Sequence, residues 1–266
     1  MSRSTVSVVI PVKDDARKLL HCLEALARQQ MAPLEIIVVD NGSSDDSAGV
    51  ARRNGAEVLF EPRPGIGVAS AAGYNRARGD ILARLDADSV PAPDWIATIL
   101  RSFHADASVD AITGPAHFND GPSALRRPAL LAYLLPYFAL SSLALGHVPL
   151  FGSNMAFRRR AWHEVRNHLH TDRWLVHDDF DLSFHLGVAH VLRFVPTLRT
   201  GISMRPFHDG AAALRLRRGF HTVFLHWPHD LPWLRLTRRL RRRFRRPTSR
   251  GQYDGGTPGD TASWDA

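Results

Sequence analysis

Two carboxylates stand one residue apart in Ile81-Leu82-Ala83-Arg84-Leu85-Asp86-Ala87-Asp88-Ser89, directly after a mostly apolar run. An apolar strand that stops at D-x-D carries both acids at its carboxyl end, the edge where ligands sit in open α/β sheets. Strand side chains at i and i+2 share a face. Two carboxylates so placed repel unless a hard, oxygen-seeking divalent cation lies between them. A solvated turn after a strand is the plain alternative, so the pair must be weighed with the other acids. Asp14 and Asp15 follow Val6 to Val12, the cluster Asp40-Asn41-Gly42-Ser43-Ser44-Asp45-Asp46 follows Leu34 to Val39, and Asp178-Asp179-Phe180-Asp181 lies downstream. Parallel strands bring such acids to one edge. Displacement at a phosphate-activated carbon needs a nucleotide grip, a metal and a separate base. The cation offsets charge on the leaving diphosphate, and a carboxylate takes the proton of the attacking hydroxyl.

The elements that must position these acids are legible for the first hundred residues. Val6 to Val12 reads as a buried parallel strand. Asp14 and Asp15 offer an N-cap for a helix through about Gln30, with Leu19, Leu23, Leu26 and Ala27 on one face. Strands at Leu34 to Val39, Glu57 to Phe60 and the D-x-D run alternate with helices at Ala48 to Asn54 and about Val68 to Arg78. A helix at Asp94 to Phe103 and a strand at Val109 to Thr113 follow. This alternation predicts an α/β fold with a mostly parallel sheet. Gly65-Ile66-Gly67-Val68-Ala69-Ser70 half-matches a dinucleotide fingerprint, but it follows the third strand and lacks the third glycine, so it reads as a tight turn into a helix N-terminus that could still face phosphate.

The second half is less regular. Pro128 to Leu145 is the most apolar stretch, interrupted by Pro136. It admits a membrane span, a helix lying in the membrane interface, or a buried helix. Leu150 to Arg159 reads as a glycine turn running into a strand, Asp178 opens a helix to about Leu186, and Val191 to Val195 is a further strand. From Leu214 to Phe244 arginines interleave with Phe220, Phe224, Trp227, Trp233 and Phe244. That pattern suits a helix on anionic lipid, although nucleic-acid phosphate would attract the same composition. Residues 248–266 read as a disordered tail.

The chain has 266 residues, 44% of them hydrophobic and 23% charged, ordinary proportions for a globular protein with a substantial core. The net charge of +8 is concentrated late, since Arg215 to Arg250 contains one acid, Asp230. The single cysteine, Cys22, excludes a disulfide framework and a thiolate metal site. Met1 to Thr5 lacks the apolar core of a signal peptide, so a cytoplasmic-facing location is expected.

Six pieces stand in one order: Val8-Val9-Ile10-Pro11-Val12, Val38-Val39-Asp40-Asn41-Gly42-Ser43-Ser44-Asp45, Ala77-Arg78-Gly79-Asp80, Leu85-Asp86-Ala87-Asp88, Gly152-Ser153-Asn154-Met155-Ala156-Phe157-Arg158-Arg159 and Asp178-Asp179-Phe180-Asp181-Leu182. In order and spacing the chain resembles the family 2 glycosyltransferases over roughly residues 6 to 200. It departs from them at Lys13-Asp14-Asp15, where an acidic or Asn-Glu pair is usual, and at Asp178-Asp179, where Glu-Asp is usual.

The resemblance implies a GT-A (Rossmann-like) nucleotide-diphospho-sugar transferase domain over 1–206. Residues 6–115 would be its nucleotide-binding half and 116–206 its acceptor half, followed by a basic amphipathic segment at 207–247. It implies inverting transfer from a nucleoside diphosphate sugar to an acceptor hydroxyl with Mg²⁺ or Mn²⁺. Pro11, Val12, Asp14, Asp40, Asp86 and Ala87 would hold the donor. Arg63 and Arg84 are candidates for its phosphates, solvated arginine being the plain alternative. Asp88 and His208 would bind metal, and Gly152, Ser153 and Asn154 would shape the sugar and acceptor pocket. Asp179 would be the base, with Asp178 the second choice. The apolar helix and the Arg/Trp segment add the expectation of a lipid or lipid-linked acceptor, at the inner face of the plasma membrane. Rival expectations are a sugar-nucleotide nucleotidyltransferase, for which a glycine-rich, lysine-bearing first loop is missing, and a non-catalytic protein that binds membrane or nucleic acid.

Overall fold

The computed structural model describes residues 4–207, 210–227 and 230–237. Its centre is a sheet of seven strands: β1 (Val6–Val12), β2 (Glu35–Asp40), β3 (Glu57–Phe60), β4 (Ile81–Arg84), β6 (Ala111–Thr113), β8 (Met155–Arg158) and β9 (Leu192–Phe194), in the order β3-β2-β1-β4-β8-β6-β9. β3, β2, β1 and β4 are mutually parallel, β8 runs against both β4 and β6, and β6 pairs in parallel with β9. A second, three-stranded sheet orders β5 (Val90–Pro91), β10 (Thr200–Ile202) and β7 (Ala116–Phe118) with β10 in the middle. The helices are α1 (Ala16–Ala27), α2 (Ser47–Arg53), α3 (Ile66–Arg76), α4 (Trp95–Ala105), α5 (Ser123–Leu145), α6 (Arg159–Val165), α7 (Asp178–Ala189) and α8 (Ala212–His226).

β1 explains the layering. Every residue in it is buried, as a central parallel strand requires. Val6, Val8, Ile10 and Val12 point into a core with Leu19, Leu23 and Leu26 of α1 and Trp95, Ile96 and Phe103 of α4. Val9 points the other way, onto Tyr74 of α3, Trp162 of α6 and Leu182 and Leu186 of α7. The period of two in one strand thus divides two helical layers. Gly73 lets α3 lie close on this sheet, since a Cβ there would stand 2.3 Å from Val9 Cγ1.

Among the described residues the expected elements are present with shifted ends, while the expected basic segment beyond residue 237 and the tail at 248–266 lie outside the described residues. The first helix stops at Ala27 instead of near Gln30, and Asp15 at its start makes no side-chain cap bond. Asp45 takes that part: its Oδ2 accepts the Ala16 N–H at 2.8 Å, which staples the second strand's loop to the first helix. The small second sheet carries strands of two or three residues, too short for a periodicity to reveal.

α5 is 23 residues long and apolar enough by length and composition to cross a membrane. Only Leu134 and Leu145 in it are buried, and Leu125, Leu131, Leu135, Leu140 and Leu143 are exposed. The buried-helix alternative therefore does not describe it within this chain. One flank does pack: Tyr133, Tyr137 and Phe138 lie against Phe118, Phe151 and Ile202.

Candidate functional site

The parallel strands β1, β2 and β4 end on one edge, and there the chain opens a cleft of about 470 Å³. Pro11 and Val12 at the end of β1, Lys13 and Asp15 after it, Asn41 after β2, Gly65 and Ile66 at the start of α3, and Asp86, Ala87 and Asp88 after β4 line one side. Tyr133 of α5, Phe151 and Ser153 before β8, and Ser203, Arg205 and Arg215 complete it. Gly152 to Asn154 reach this edge because β8 runs backwards: its first residue, not its last, lies at the end of β4, with Arg84 paired to Met155. On its other side Met155 pairs with Thr113, the last residue of β6, so residues 114–154 leave and rejoin the sheet at one point.

The two acids of the D-x-D are held differently. Asp86 accepts from Ser153 Oγ at 2.6 Å and from Arg84 Nη2 at 3.0 Å. Asp88 meets Arg205 Nη2 at 2.5 Å, and the same nitrogen lies 2.7 Å from Asp15. Burial, and next the charge of Asp86, raise the Asp88 carboxyl above its ordinary value, although Arg205 and Lys18 work against both. A crowded oxygen donor, raised by a like charge and opening on a cleft, fits a hard divalent cation, which would relieve that crowding. Asp88 and Asp86 are the described residues that could hold one, and His208 lies outside the described residues.

Arg84 does not reach the cleft as an open phosphate ligand. Its guanidinium is buried, 2% exposed, and donates to Asp86 and to Asp178. It ties the end of β4 to the start of α7, so the two carboxylate pairs move as one body. Arg63 is exposed and doubly bonded to Glu61, 2.8 Å from Nε to Oε1 and 2.9 Å from Nη2 to Oε2. Asp14 has a positive φ of 53° and accepts from Ser44 N and Oγ at 2.6 and 2.9 Å, so its carboxylate braces the β2 loop. Asp40 is buried and accepts the Ser43 N–H at 3.0 Å. Its neighbour Asn41, not Asp40, faces the cleft: its amide donates to the carbonyls of Glu61 and Arg63, and its Oδ1 accepts from Gly65. Asn154 is fully buried, taking the Trp95 indole N–H at 2.8 Å and donating to Pro115 and Leu198. It shapes the loop and leaves the cleft surface to Ser153.

Asp179 is 5% exposed on the first turn of α7. Its Oδ2 accepts the Gly152 N–H at 2.7 Å, and its Oδ1 lies 2.5 Å from His177 Nδ1. Burial alone would raise this carboxyl, but the His177 charge, then Arg84 and the Gly152 amide, bring it below the ordinary range. Burial would lower His177, yet Asp179 and Asp178 push it up to about 9, so at neutral pH the pair is imidazolium and carboxylate. Gly152 suits this close approach: a Cβ there would stand 3.1 Å from both the Arg84 guanidinium and Asp179 Oδ2, tight enough that these side chains would have to give. Two adjacent residues thus carry both connections, the Gly152 N–H to Asp179 and the Ser153 hydroxyl to Asp86.

Sequence reasoning did not single out Asp15, His177 or Arg205 as site residues. Asp15 and His177 adjoin acids that it did select, and Arg205 sits three residues before His208, so proximity to a motif was the available signal.

The sequence profile of glycosyl transferase family 2 matches residues 7–166. An uncharacterized glycosyltransferase of Mycobacterium bovis is 39% identical over 115 residues, 43% of this chain and 50% of that one. An undecaprenyl-phosphate 4-deoxy-4-formamido-L-arabinose transferase of Pseudomonas fluorescens is 34% identical over 132 residues, 46% of this chain and 38% of its own. The chain thus spans half or less of these relatives' length. Among solved structures, the mannosyltransferase from Pyrobaculum calidifontis in complex with GDP-Man and Mn²⁺ superimposes with a TM-score of 0.63 at 22% identity, covering 85% of this chain and 64% of that one. The glucosyl-3-phosphoglycerate synthase of Mycobacterium tuberculosis, in complex with Mn²⁺, UDP and glucosyl-3-phosphoglycerate, gives 0.57 at 20% identity, covering 83% and 78%. These likenesses establish the GT-A fold. With a profile match across well over half of the residues, from β1 to the end of α6, the chain belongs to glycosyl transferase family 2.

Proposed function

We propose that this protein transfers a sugar, with inversion, from a nucleoside diphosphate sugar to an acceptor hydroxyl. The observation that carries the reading is the pair of adjacent residues Gly152 and Ser153: the Gly152 N–H holds the buried carboxylate Asp179, and the Ser153 hydroxyl holds the D-x-D acid Asp86 at the cleft edge. Donor and base are thereby held in one frame, which is what an in-line displacement demands. The nucleoside would lie across Pro11, Val12 and Asn41, with the diphosphate directed toward Asp88. A divalent cation at Asp88, when bound, would offset charge on the diphosphate. Arg205 and Lys18 stand beside the same carboxylate and add positive charge there. Asp179 takes the proton of the acceptor hydroxyl, whose oxygen bonds to the anomeric carbon as the bond to the diphosphate oxygen breaks. The electron pair leaves on that diphosphate. His177 keeps Asp179 ionised despite its burial.

We place the acceptor at a lipid surface. α5 exposes five leucines, and α8 exposes Leu216, Phe220 and Phe224, spaced four apart along one ridge, beside Trp233 and Leu236. Both helices reach one cluster, in which Ala144 and Val223 pack on Phe180 and Phe184, so the two apolar ridges leave from neighbouring supports. Arginines interleaved with such a ridge suit anionic headgroups. The Pseudomonas fluorescens relative, named for an undecaprenyl-phosphate transferase, supports the same reading.

Calorimetric titration with UDP, GDP, CDP and dTDP, each with and without Mn²⁺, tests the core of this reading. One nucleotide is expected to bind wild type in a Mn²⁺-dependent manner and to lose at least tenfold in affinity in Asp88→Ala. Failure of all four to bind a folded chain would overturn it.

A further inference from the structure

Beyond the cleft, on the far side of α7, three imidazoles converge on one carboxylate. Asp181 is 2% exposed, and its Oδ1 lies 3.0 Å from His170 Nδ1, 2.9 Å from His226 Nε2 and 3.5 Å from His185 Nε2. The candidate ligand atoms of these four residues all lie within 4.8 Å of one another. Asp181 Oδ2 is already used by the His170 backbone N–H at 2.8 Å. A carboxylate oxygen has two lone pairs, so three ring nitrogens aimed at Oδ1 are one more than it can serve. The nitrogen left over is His185 Nε2, which is buried and has no hydrogen-bond partner. Hydrogen bonding within the cluster therefore does not account for its geometry.

A cation does. Bonds of about 2.0–2.1 Å in a tetrahedral N/O site imply ligand separations of about 3.3 Å, and the three nitrogens surround Asp181 Oδ1 at 2.9–3.5 Å. Asp181 and His185 are one helical turn apart on α7, the i, i+4 spacing that puts two ligands on one face. His226 comes from the last turn of α8, and His170 from the loop before α7. Imidazole nitrogens with one carboxylate suit a borderline transition ion and not the hard, oxygen-seeking ion expected at Asp88.

We propose that His170, Asp181, His185 and His226 form a second metal site, for Zn²⁺ or an ion of its class, that fastens α8 and the 169–177 loop to α7. Its role is positional. α7 carries Asp178 and Asp179 in the same first turn as Asp181, and His177 N already donates to Thr222 Oγ1 of α8 at 2.8 Å. An ion binding four ligands from three segments holds the base's helix and the apolar α8 ridge in a fixed relation. The site stands independently of the transferase reading, since none of its four ligands lines the donor cleft.

The test uses the full chain, free of affinity tags and stripped of metal by dialysis against chelator at neutral pH. Zn²⁺ is titrated calorimetrically and Co²⁺ spectroscopically. Wild type is expected to bind one equivalent of Zn²⁺, to show the intense visible absorption of tetrahedral Co²⁺, and to melt higher with Zn²⁺ present. Asp88→Ala retains all three. His185→Gln and His226→Gln lose at least tenfold in Zn²⁺ affinity. Either variant suffices if the other fails to fold by circular dichroism, and if both fail, Zn²⁺ stoichiometry and the Co²⁺ spectrum of wild type and Asp88→Ala decide. Absence of stoichiometric Zn²⁺ binding to folded wild type, unchanged affinity in a folded histidine variant, or loss of binding in Asp88→Ala would overturn the proposal.

Discussion

The leucines of β4 and those of α5 belong to one residue type and meet opposite fates. Leu82 is fully buried beneath α3 and α6, whereas Leu135 is 65% exposed on a helix whose outer face touches nothing else in the chain's described residues. The first half of the molecule, before α5, satisfies most of its own apolar groups between the sheet and its helices, Leu34, Phe60 and Ile66 being its exposed large ones. The second half does not, and its exposed leucines and phenylalanines are spaced as ridges. Apolar surface on that scale marks a site of association. The difference teaches that burial within the chain accounts for the first half, while the exposed ridges of the second half are suited to contact with something outside it.

This contrast can be broken or sharpened by experiment. The largest effect belongs to the base: Asp179→Asn is expected to lower kcat by about 10³-fold, as loss of a general base does, with the melting transition still cooperative by calorimetry. Retained turnover in that variant would assign the base elsewhere. Leu82→Ala should cost about 2–5 kcal/mol in chemical denaturation, the price of a large-to-small change in a packed core. His177 comes next. Its pKa rises from 6.5 to about 9 in the fold, burial being outweighed by Asp179 and Asp178 while Arg84 opposes them. A group raised on folding contributes fully below its unfolded value and loses the contribution as pH climbs through the folded one. Stability should therefore fall between about pH 6.5 and 9 by up to about 3 kcal/mol, and His177→Ala should flatten that slope in denaturation curves taken across the window. The smallest effect is on the ridge. Leu135→Ala should change stability by under about 0.5 kcal/mol, while Leu131→Ser with Leu135→Ser weakens flotation with anionic vesicles several-fold. A ridge substitution as costly as Leu82→Ala would end the distinction between the halves.

The first half was readable because its signals are local. β-branched runs followed by acids and glycines give strand, turn and helix in order, and every element from β1 to α4 except the two-residue β5 lies within a few residues of expectation. The acids of the motifs were likewise visible, as residue types at strand ends. What the pattern does not carry is which way each acid turns. Asp14 and Asp15 are equivalent in sequence, yet the positive φ of Asp14 sends its carboxylate to Ser44 and leaves Asp15 to line the cleft. Arg84 reads as a phosphate ligand by type, but it is the penultimate inward position before the D-x-D and meets Asp178 from a helix almost a hundred residues away. The four residues around Asp181 are scattered between positions 170 and 226, so only the packing of α8 on α7 reveals them. Non-local meetings of this kind depend on topology, and the reversed strand β8 was not foreshadowed by any periodicity.

That reversal has a bearing on how such a chain can change over evolutionary time. Because Thr113 and Met155 are partners in the ladder, the excursion between them begins and ends a single inter-strand spacing apart. Closing a loop on two such fixed points costs little more for a long excursion than for a short one. The excursion carries α5, Tyr133, Phe151 and Ser153, while the cleft-lining residues that end or follow β1, β2 and β4 lie wholly outside it. The sheet thus works like a socket with two adjacent pins. A lineage can exchange what is plugged into it, and on the proposed function the acceptor with it, while the cleft walls after β1, β2 and β4 are inherited unaltered.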